Sequence, residues 1–469
     1  MKRSTCLLML TIVAAVHFVL AATVPPADDE LYYWCWSQDL QASYFDHPPM
    51  TALLIRASTS LFGHTLFGLR FPACLCALAT LFLIGHLTDR RGIGWLLATP
   101  MIAFGSILIT PDAPVLLIWT AYAIWLIAIQ KPERSHRWVW WLAGGVLLGL
   151  GGLSKYTMAL AVPGALLSFM LNRDPKQAAW RLGFVCHLVV CLMVMSPIFL
   201  FNMQHDFRPM QFQLNHAAEK SGPLHPFRIF EFIGGQVLLV GLMPFLLLPW
   251  CLRHRRELGA DSRLRISLWL FVFPSLFFLM KGATGKVEGN WPFISYMTML
   301  PLALRQWDDL PAAGWQKRWL LPASFAVPIL ATALIAAQLV LRLPLPGRSD
   351  RMLAMANRYE AAKQVAEFAR MEQIPVIYAA NYQITSHLRF QQFEARQMRG
   401  LQRDSNFTLR PGPPLEPTVY MLMHIDRIDN LPKLKEDYGP PQLVVSVPER
   451  ASGKTIGEYA LIRYDRVGE

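Results

Sequence analysis

Apolar residues fill most of the first 343 positions in long runs, broken by short polar loops. A bilayer-crossing helix needs about twenty such residues, because every backbone amide must find its partner without water. Runs of suitable character lie at 5–24, 66–87, 93–110, 112–130, 138–153, 156–171, 181–201, 229–251, 265–281, 290–304 and 319–341. The pattern therefore predicts an α-helical polytopic membrane protein with about eleven spans. Gly144, Gly145, Gly149, Gly151 and Gly152 mark a stretch suited to close helix packing. From Pro344 onward the pattern changes. Residues 350–372 carry helical periodicity (Leu353, Ala356, Tyr359, Val365, Phe368), and Ile384–Gln392 also reads as helix. Alternating runs at Pro375–Ala380, Thr418–His424, Gln442–Val447 and Tyr459–Tyr464 read as strands. A membrane domain over 1–343 and a small α/β domain over 344–469 are expected.

Composition supports this division. Of 469 residues 54% are apolar and 16% charged, against about a quarter charged in soluble domains. The net charge of +12 raises the question of nucleic acid. The basic residues answer it, because they sit in alternate short loops rather than along one stripe. Arg90 and Arg91, then Lys131, Arg134 and Arg137, then the cluster from Arg253 to Arg265 fall on one side, with Lys2 and Arg3. This is the positive-inside pattern. It predicts a cytoplasmic N-terminus and, after an odd number of spans, a C-terminal domain on the far side, the periplasm of a bacterial inner membrane. The first run follows Lys2-Arg3 and ends at Ala21-Ala22, so it also has the form of a signal peptide; retention is expected, since further spans follow. The seven cysteines read as apolar packing residues rather than a disulfide or zinc framework.

Ionisable residues are concentrated in the loops opposite the basic ones. The first holds Asp28-Asp29-Glu30, an aromatic run at Tyr32, Tyr33, Trp34 and Trp36, and then Tyr44-Phe45-Asp46-His47-Pro48-Pro49. Carboxylates beside a span are costly unless they face water or a polar cavity. They can hold a cation or take a proton from a hydroxyl; an interfacial helix with a solvated acidic start fits the same residues. Asp112 stands between two spans, where it reads either as a helix cap or as a second functional acid. Lys155 reads as a headgroup-seeking lysine or as a phosphate partner. The segment 202–228 holds His205, His216, Glu219 and Lys220, and another polar loop runs through Lys281, Lys286, Glu288 and Asn290-Trp291-Pro292.

Four segments together carry a resemblance: Asp-Glu-x-Tyr-Tyr-Trp-x-Trp-Ser from Asp29, Tyr-Phe-Asp-His-Pro-Pro from Tyr44, Leu-Phe-Gly from Leu61 and Leu-Arg-Phe-Pro from Leu69. They resemble the family-39-type GT-C glycosyltransferases, which include protein O-mannosyltransferases and lipid A aminoarabinose transferases. The resemblance implies that Asp29 is the leading catalytic carboxylate, with Glu30 beside it and Asp112 as a second acid. Asp46-His47-Pro48-Pro49 stands where the lipid A enzymes carry Glu-Lys-Pro-Pro; there the acid helps hold a metal and the lysine approaches the lipid phosphate. Asp46 with His216 is thus the expected site of a divalent cation, and His47 with Lys155 the expected donor-phosphate contact. Tyr32, Tyr33, Tyr382 and Gln383 are expected to line the substrate cavity.

The function implied is transfer of a sugar from a polyprenyl-phosphate donor to an acceptor that is lipid A, another glycolipid, a glycan or a protein, with inversion at the anomeric carbon. Membrane lipids are expected partners and nucleic acid is not. A polyprenyl-lipid flippase is the rival reading. Transporters place ionisable groups at the midplane of broken helices, whereas here they gather in loops.

Overall fold

A computed structural model describes residues 3–171, 180–218, 226–285, 287–311, 314–341, 351–410, 412–425, 438–451 and 454–467. Two compact units are present. One comprises Met1–Ala22, His47–Thr51 and Arg70–Ile335; the other comprises Thr23–Asp46, Ala52–Leu69 and Ala336–Glu469. The boundary expected at 343/344 lies outside the described residues.

The first unit is helical. Among the described residues, Arg3–Thr23, Leu66–Leu87, Asp112–Ile129, Ser262–Thr284 and Gln316–Gln338 are long and apolar enough to cross a membrane. Two bent pairs raise this number to as many as seven: Trp180–Val194 with Ser196–Gln204, and Phe227–Val240 with Met243–Arg253. Shorter apolar helices occupy Trp138–Ser154 and Tyr156–Met170. The run expected as one span over 93–110 is divided into Gly92–Ala98, Pro100–Ala103 and a 3-10 turn at Gly105–Ile107. Pro100, which has no N–H to donate, and Gly105 mark the divisions.

The glycine stretch does what close packing requires. A Cβ on Gly144 would lie 2.1 Å from the Trp125 ring, and one on Gly145 would lie 2.5 Å from the His187 carbonyl oxygen. Helix Trp138–Ser154 therefore meets the backbone of Trp180–Val194 directly and seats the Trp125 ring of Asp112–Ile129 against its own backbone. Trp119, Tyr122, Trp125 and Trp141 form the centre of the resulting apolar core.

The second unit contains helices Asp28–Gln38, Arg351–Met371 and Tyr382–Phe390, and Met50–Phe62 from Ala52 onward, with a five-stranded sheet. Its strands are β1 (Ile377–Ala379), β2 (Ala395–Gln397), β3 (Thr418–His424), β4 (Gln442–Ala451) and β5 (Lys454–Asp465), in the order β2-β1-β3-β5-β4. β1 pairs parallel with β2 and β3; β5 pairs antiparallel with β3 and β4. The small faces of Arg351–Met371 (Ala361, Ala362, Ala366, Ala369) pack in one core with Ile377, Leu422 and Leu461. Residues of alternate parity, among them Tyr378, Met421 and Ile462, form a second core, as period-two strands require. The expected helices and four expected strands are present; β4 runs on to Ala451 and β5 begins already at Lys454, so the hairpin joining them is longer than expected, and β2 and helix Met50–Phe62 are not among the expected elements.

Candidate active site

Two clusters of polar side chains are distinguished, one in each unit. In the helical unit three turns meet around Asp112. Its Oδ1 accepts from Lys155 Nζ at 2.7 Å, and its Oδ2 accepts from Asn290 Nδ2 at 2.8 Å. Both ionic partners are buried. The helix beginning at Asp112 takes no side-chain cap, so the carboxylate is committed to Lys155 and Asn290 instead. Lys155 likewise does not reach for headgroups. It follows the last residue of Trp138–Ser154 in extended backbone, which turns its amine inward. The three turns are ones that the charge pattern assigned to the same side.

The second cluster is built on the start of helix Asp28–Gln38, whose three acids have three different environments. Asp28 accepts from Arg358 and, at 2.8 Å, from His387 Nε2. Burial pushes its carboxyl up, but the His387 hydrogen bond and the Arg358 charge prevail and hold it at about 2. Glu30 is fully buried and accepts from Ala27 N–H at 2.9 Å, closing the first helical turn on itself. Asp29 is exposed. Its Oδ1 accepts from the Tyr382 hydroxyl at 2.9 Å, and Oδ2 has no hydrogen-bond partner among the described residues. Although open to solvent, it is densely surrounded by protein. That surrounding raises its carboxyl to about 6, with the Asp28 and Asp46 charges adding and the Tyr382 hydrogen bond opposing.

Asp46 completes the cluster. Its Oδ2 accepts from the Tyr32 hydroxyl at 2.7 Å and its Oδ1 from Arg403 Nη1 at 2.7 Å. The same Tyr32 hydroxyl accepts from the Asn406 backbone N–H at 2.6 Å. The Tyr32 and Tyr382 rings lie 4.5 Å apart, and the Arg403 guanidinium lies 4.5 Å from the Tyr382 ring centre. Tyr33 is buried against Trp36, 4.7 Å between rings. Gln383 follows Tyr382 with its Oε1 buried and unpartnered among the described residues.

The second unit thus brings together Asp29, Glu30, Tyr32, Asp46 and Tyr382, and the first brings together Asp112 and Lys155. His47 begins another segment and is half-buried. The side chain of His216 lies outside the described residues. Each Asp46 carboxylate oxygen accepts one hydrogen bond, from Arg403 and Tyr32, so a cation expected there would share the carboxylate with both. Among the described residues, His254, Glu257 and Asp309 stand close enough to share a metal. Arg305 pairs with both of those acids, at 2.8 and 3.2 Å, and Trp250 donates to Asp309, which accounts for the grouping without an ion. Four participants carried no signal in the sequence: Arg358, His387, Arg403 and Asn406. They are ordinary residues of a helix or loop, hundreds of positions from the acids and the tyrosine they meet.

Comparison with known proteins places the chain among membrane glycosyltransferases. Residues 46–201 match the dolichyl-phosphate-mannose-protein mannosyltransferase family. The chain is 26% identical over 372 residues to the lipid A galacturonosyltransferase RgtD of Rhizobium johnstonii, covering 77% of this chain and 76% of that one. It is 29% identical to undecaprenyl phosphate-alpha-4-amino-4-deoxy-L-arabinose arabinosyl transferase 1 of Sodalis glossinidius, over 62% of this chain and 57% of the relative. Its fold is similar to that of ArnT from Cupriavidus metallidurans bound to undecaprenyl phosphate, with a TM-score of 0.66 at 14% identity and 98% of each chain covered.

Proposed function

We infer that this chain, a membrane glycosyltransferase of the GT-C type, moves a sugar from a polyprenyl-phosphate donor onto lipid A. The observation that carries the reading is Asp29: an accessible carboxylate with one oxygen fixed by Tyr382, the other open, and a pKa raised towards neutrality. A base works best when its pKa lies near the working pH.

In the proposed step, an acceptor hydroxyl of lipid A attacks the anomeric carbon of the donor sugar. Asp29 takes the hydroxyl proton as the new carbon–oxygen bond forms. The bond from that carbon to the phosphate oxygen breaks, and polyprenyl phosphate leaves with its electron pair. A single displacement of this kind inverts the anomeric centre. We assign Glu30 to holding the helix start, because its carboxylate is buried and engaged there. Lys155, held by Asp112, and His47 are the proposed phosphate contacts, where cationic donors stabilise the departing charge. Tyr32, Tyr33 and Gln383 are the proposed lining of the sugar cavity. A divalent cation, if bound, would be held by Asp46 with His216, and no step is routed through it.

The proposed topology keeps about eleven crossings, a cytoplasmic N-terminus and a periplasmic C-terminal region in a bacterial inner membrane. Purified protein in nanodiscs, given undecaprenyl-phosphate-linked 4-amino-4-deoxy-L-arabinose or galacturonic acid with lipid A, should form glycosylated lipid A. Asp29→Asn should abolish the product while the protein still inserts and elutes as a single species. Near-normal turnover by that variant would remove Asp29 from the chemistry.

A further inference from the structure

We propose that Arg403 is a positioning residue for the Asp29 carboxylate and acts through the ring of Tyr382; the proposal rests on Asp29 being the base. Arg403 belongs to the loop after β2, where Gln397 Nε2 donates to its backbone carbonyl at 3.1 Å. Its guanidinium is fixed at one end by Asp46 Oδ1 at 2.7 Å and lies over the Tyr382 ring at 4.5 Å. Tyr382 in turn donates to Asp29 Oδ1 at 2.9 Å. The far side of Asp46 is held by Tyr32, whose ring packs against Tyr382 at 4.5 Å. Asp46, Arg403, Tyr382 and Tyr32 therefore form a closed circuit, and the Tyr382 hydroxyl joins it to Asp29 by a hydrogen bond, while the Asp46 and Arg403 charges act on the same carboxylate from nearby.

The chemistry requires such a circuit. A carboxylate turns about its last side-chain bond with little resistance. A single hydrogen bond from a phenol orients it only if the ring itself is fixed. Tyr382 stands at the first turn of Tyr382–Phe390; the guanidinium over its face is attracted to the ring and limits its tilting. A planar guanidinium can hold Asp46 edge-on while covering the ring; an ammonium cannot do both. Arg403 is thus required for orientation of the base, and no contact with substrate is assigned to it.

A double-mutant cycle tests this, with undecaprenyl-phosphate-linked sugar as donor and lipid A as acceptor. Arg403→Ala is expected to lower kcat on the order of tenfold, since small misplacements of a reacting group carry penalties of that size. KM should stay within roughly twofold, because no ground-state contact is lost. Tyr382→Phe should lower kcat similarly, and the double variant should be no slower than Tyr382→Phe alone. Arg403→Lys should recover little, and it replaces the alanine variant in the cycle if that protein fails to fold. Multiplying effects in the double variant, or a rise in KM with kcat unchanged, would overturn the proposal. Asp29→Asn is run beside them: an inactive Asp29→Asn with an additive cycle removes Arg403 alone, whereas an active one removes the base reading and this proposal with it.

Discussion

At the scale of single residues, Asp28, Asp29 and Glu30 show how three adjacent acids acquire three behaviours. Helical geometry points them in different directions, and each direction meets a different partner. Asp28 meets Arg358 and His387, Glu30 meets its own helix start, and Asp29 meets a hydroxyl and solvent. Asp29 titrates near 6, so a base at this position is ionised at neutral pH and lost as pH falls through that value. The rate of transfer should accordingly fall about tenfold per pH unit below pH 6, read from kcat between pH 4.5 and 8 on protein that remains folded. A profile flat down to pH 5 would exclude Asp29 as the titrating group. Glu30 gives the complementary prediction. Glu30→Gln keeps an oxygen that accepts from Ala27 N–H and should retain most activity. Glu30→Ala removes the cap and should cost about 1 kcal/mol, seen as a lower melting temperature. An inactive Glu30→Gln of normal stability would return Glu30 to the chemistry.

At the scale of elements, the breaks in the apolar helices have identifiable causes. Phe227–Val240 and Met243–Arg253 meet at 99°, and the turn between them contains Gly241 at φ +77°. A Cβ there would lie 2.1 Å from the Ser324 carbonyl oxygen, so the position excludes every other residue on two grounds. Gly241→Ala should destabilise the helical unit by at least the about 1 kcal/mol of a left-handed residue, and by more because Ser324 must move. Detergent thermal-shift measurement checks this; an unchanged midpoint would mean that the bend relaxes freely. Glycines on Trp138–Ser154 act differently, since they let neighbouring helices pack closely rather than turn the chain. Hydropathy reads both kinds of glycine alike, so it located the apolar run and not the bend.

At the scale of the whole molecule, the prediction concerns the product. If the chain glycosylates lipid A, deletion of its coding sequence should remove one sugar-modified lipid A species from the envelope. Mass spectrometry of extracted lipid A reads this directly, and complementation with Asp29→Asn should fail to restore the species. An unchanged lipid A profile with an altered glycan or glycoprotein would move the acceptor away from lipid A and leave the chemistry at Asp29 standing.

The apolar runs, four of the five strands of the second unit and the acidic start at Asp28–Glu30 follow from local pattern alone. Hydropathy and side-chain period are properties of neighbouring residues, and the ordered loops around Asp29, Asp46, Asp112 and Lys155 retain their composition wherever they are placed. The partners of those acids are a different matter. Arg358, His387, Tyr382, Arg403 and Asn406 meet the first polar loop across more than three hundred positions. No local regularity distinguishes Arg403 from the arginines beside it in sequence. Only the tertiary arrangement decided which acid is neutralised, which is spent on a helix cap and which is left open to act, because a carboxylate's charge state and reach depend on what surrounds it in space.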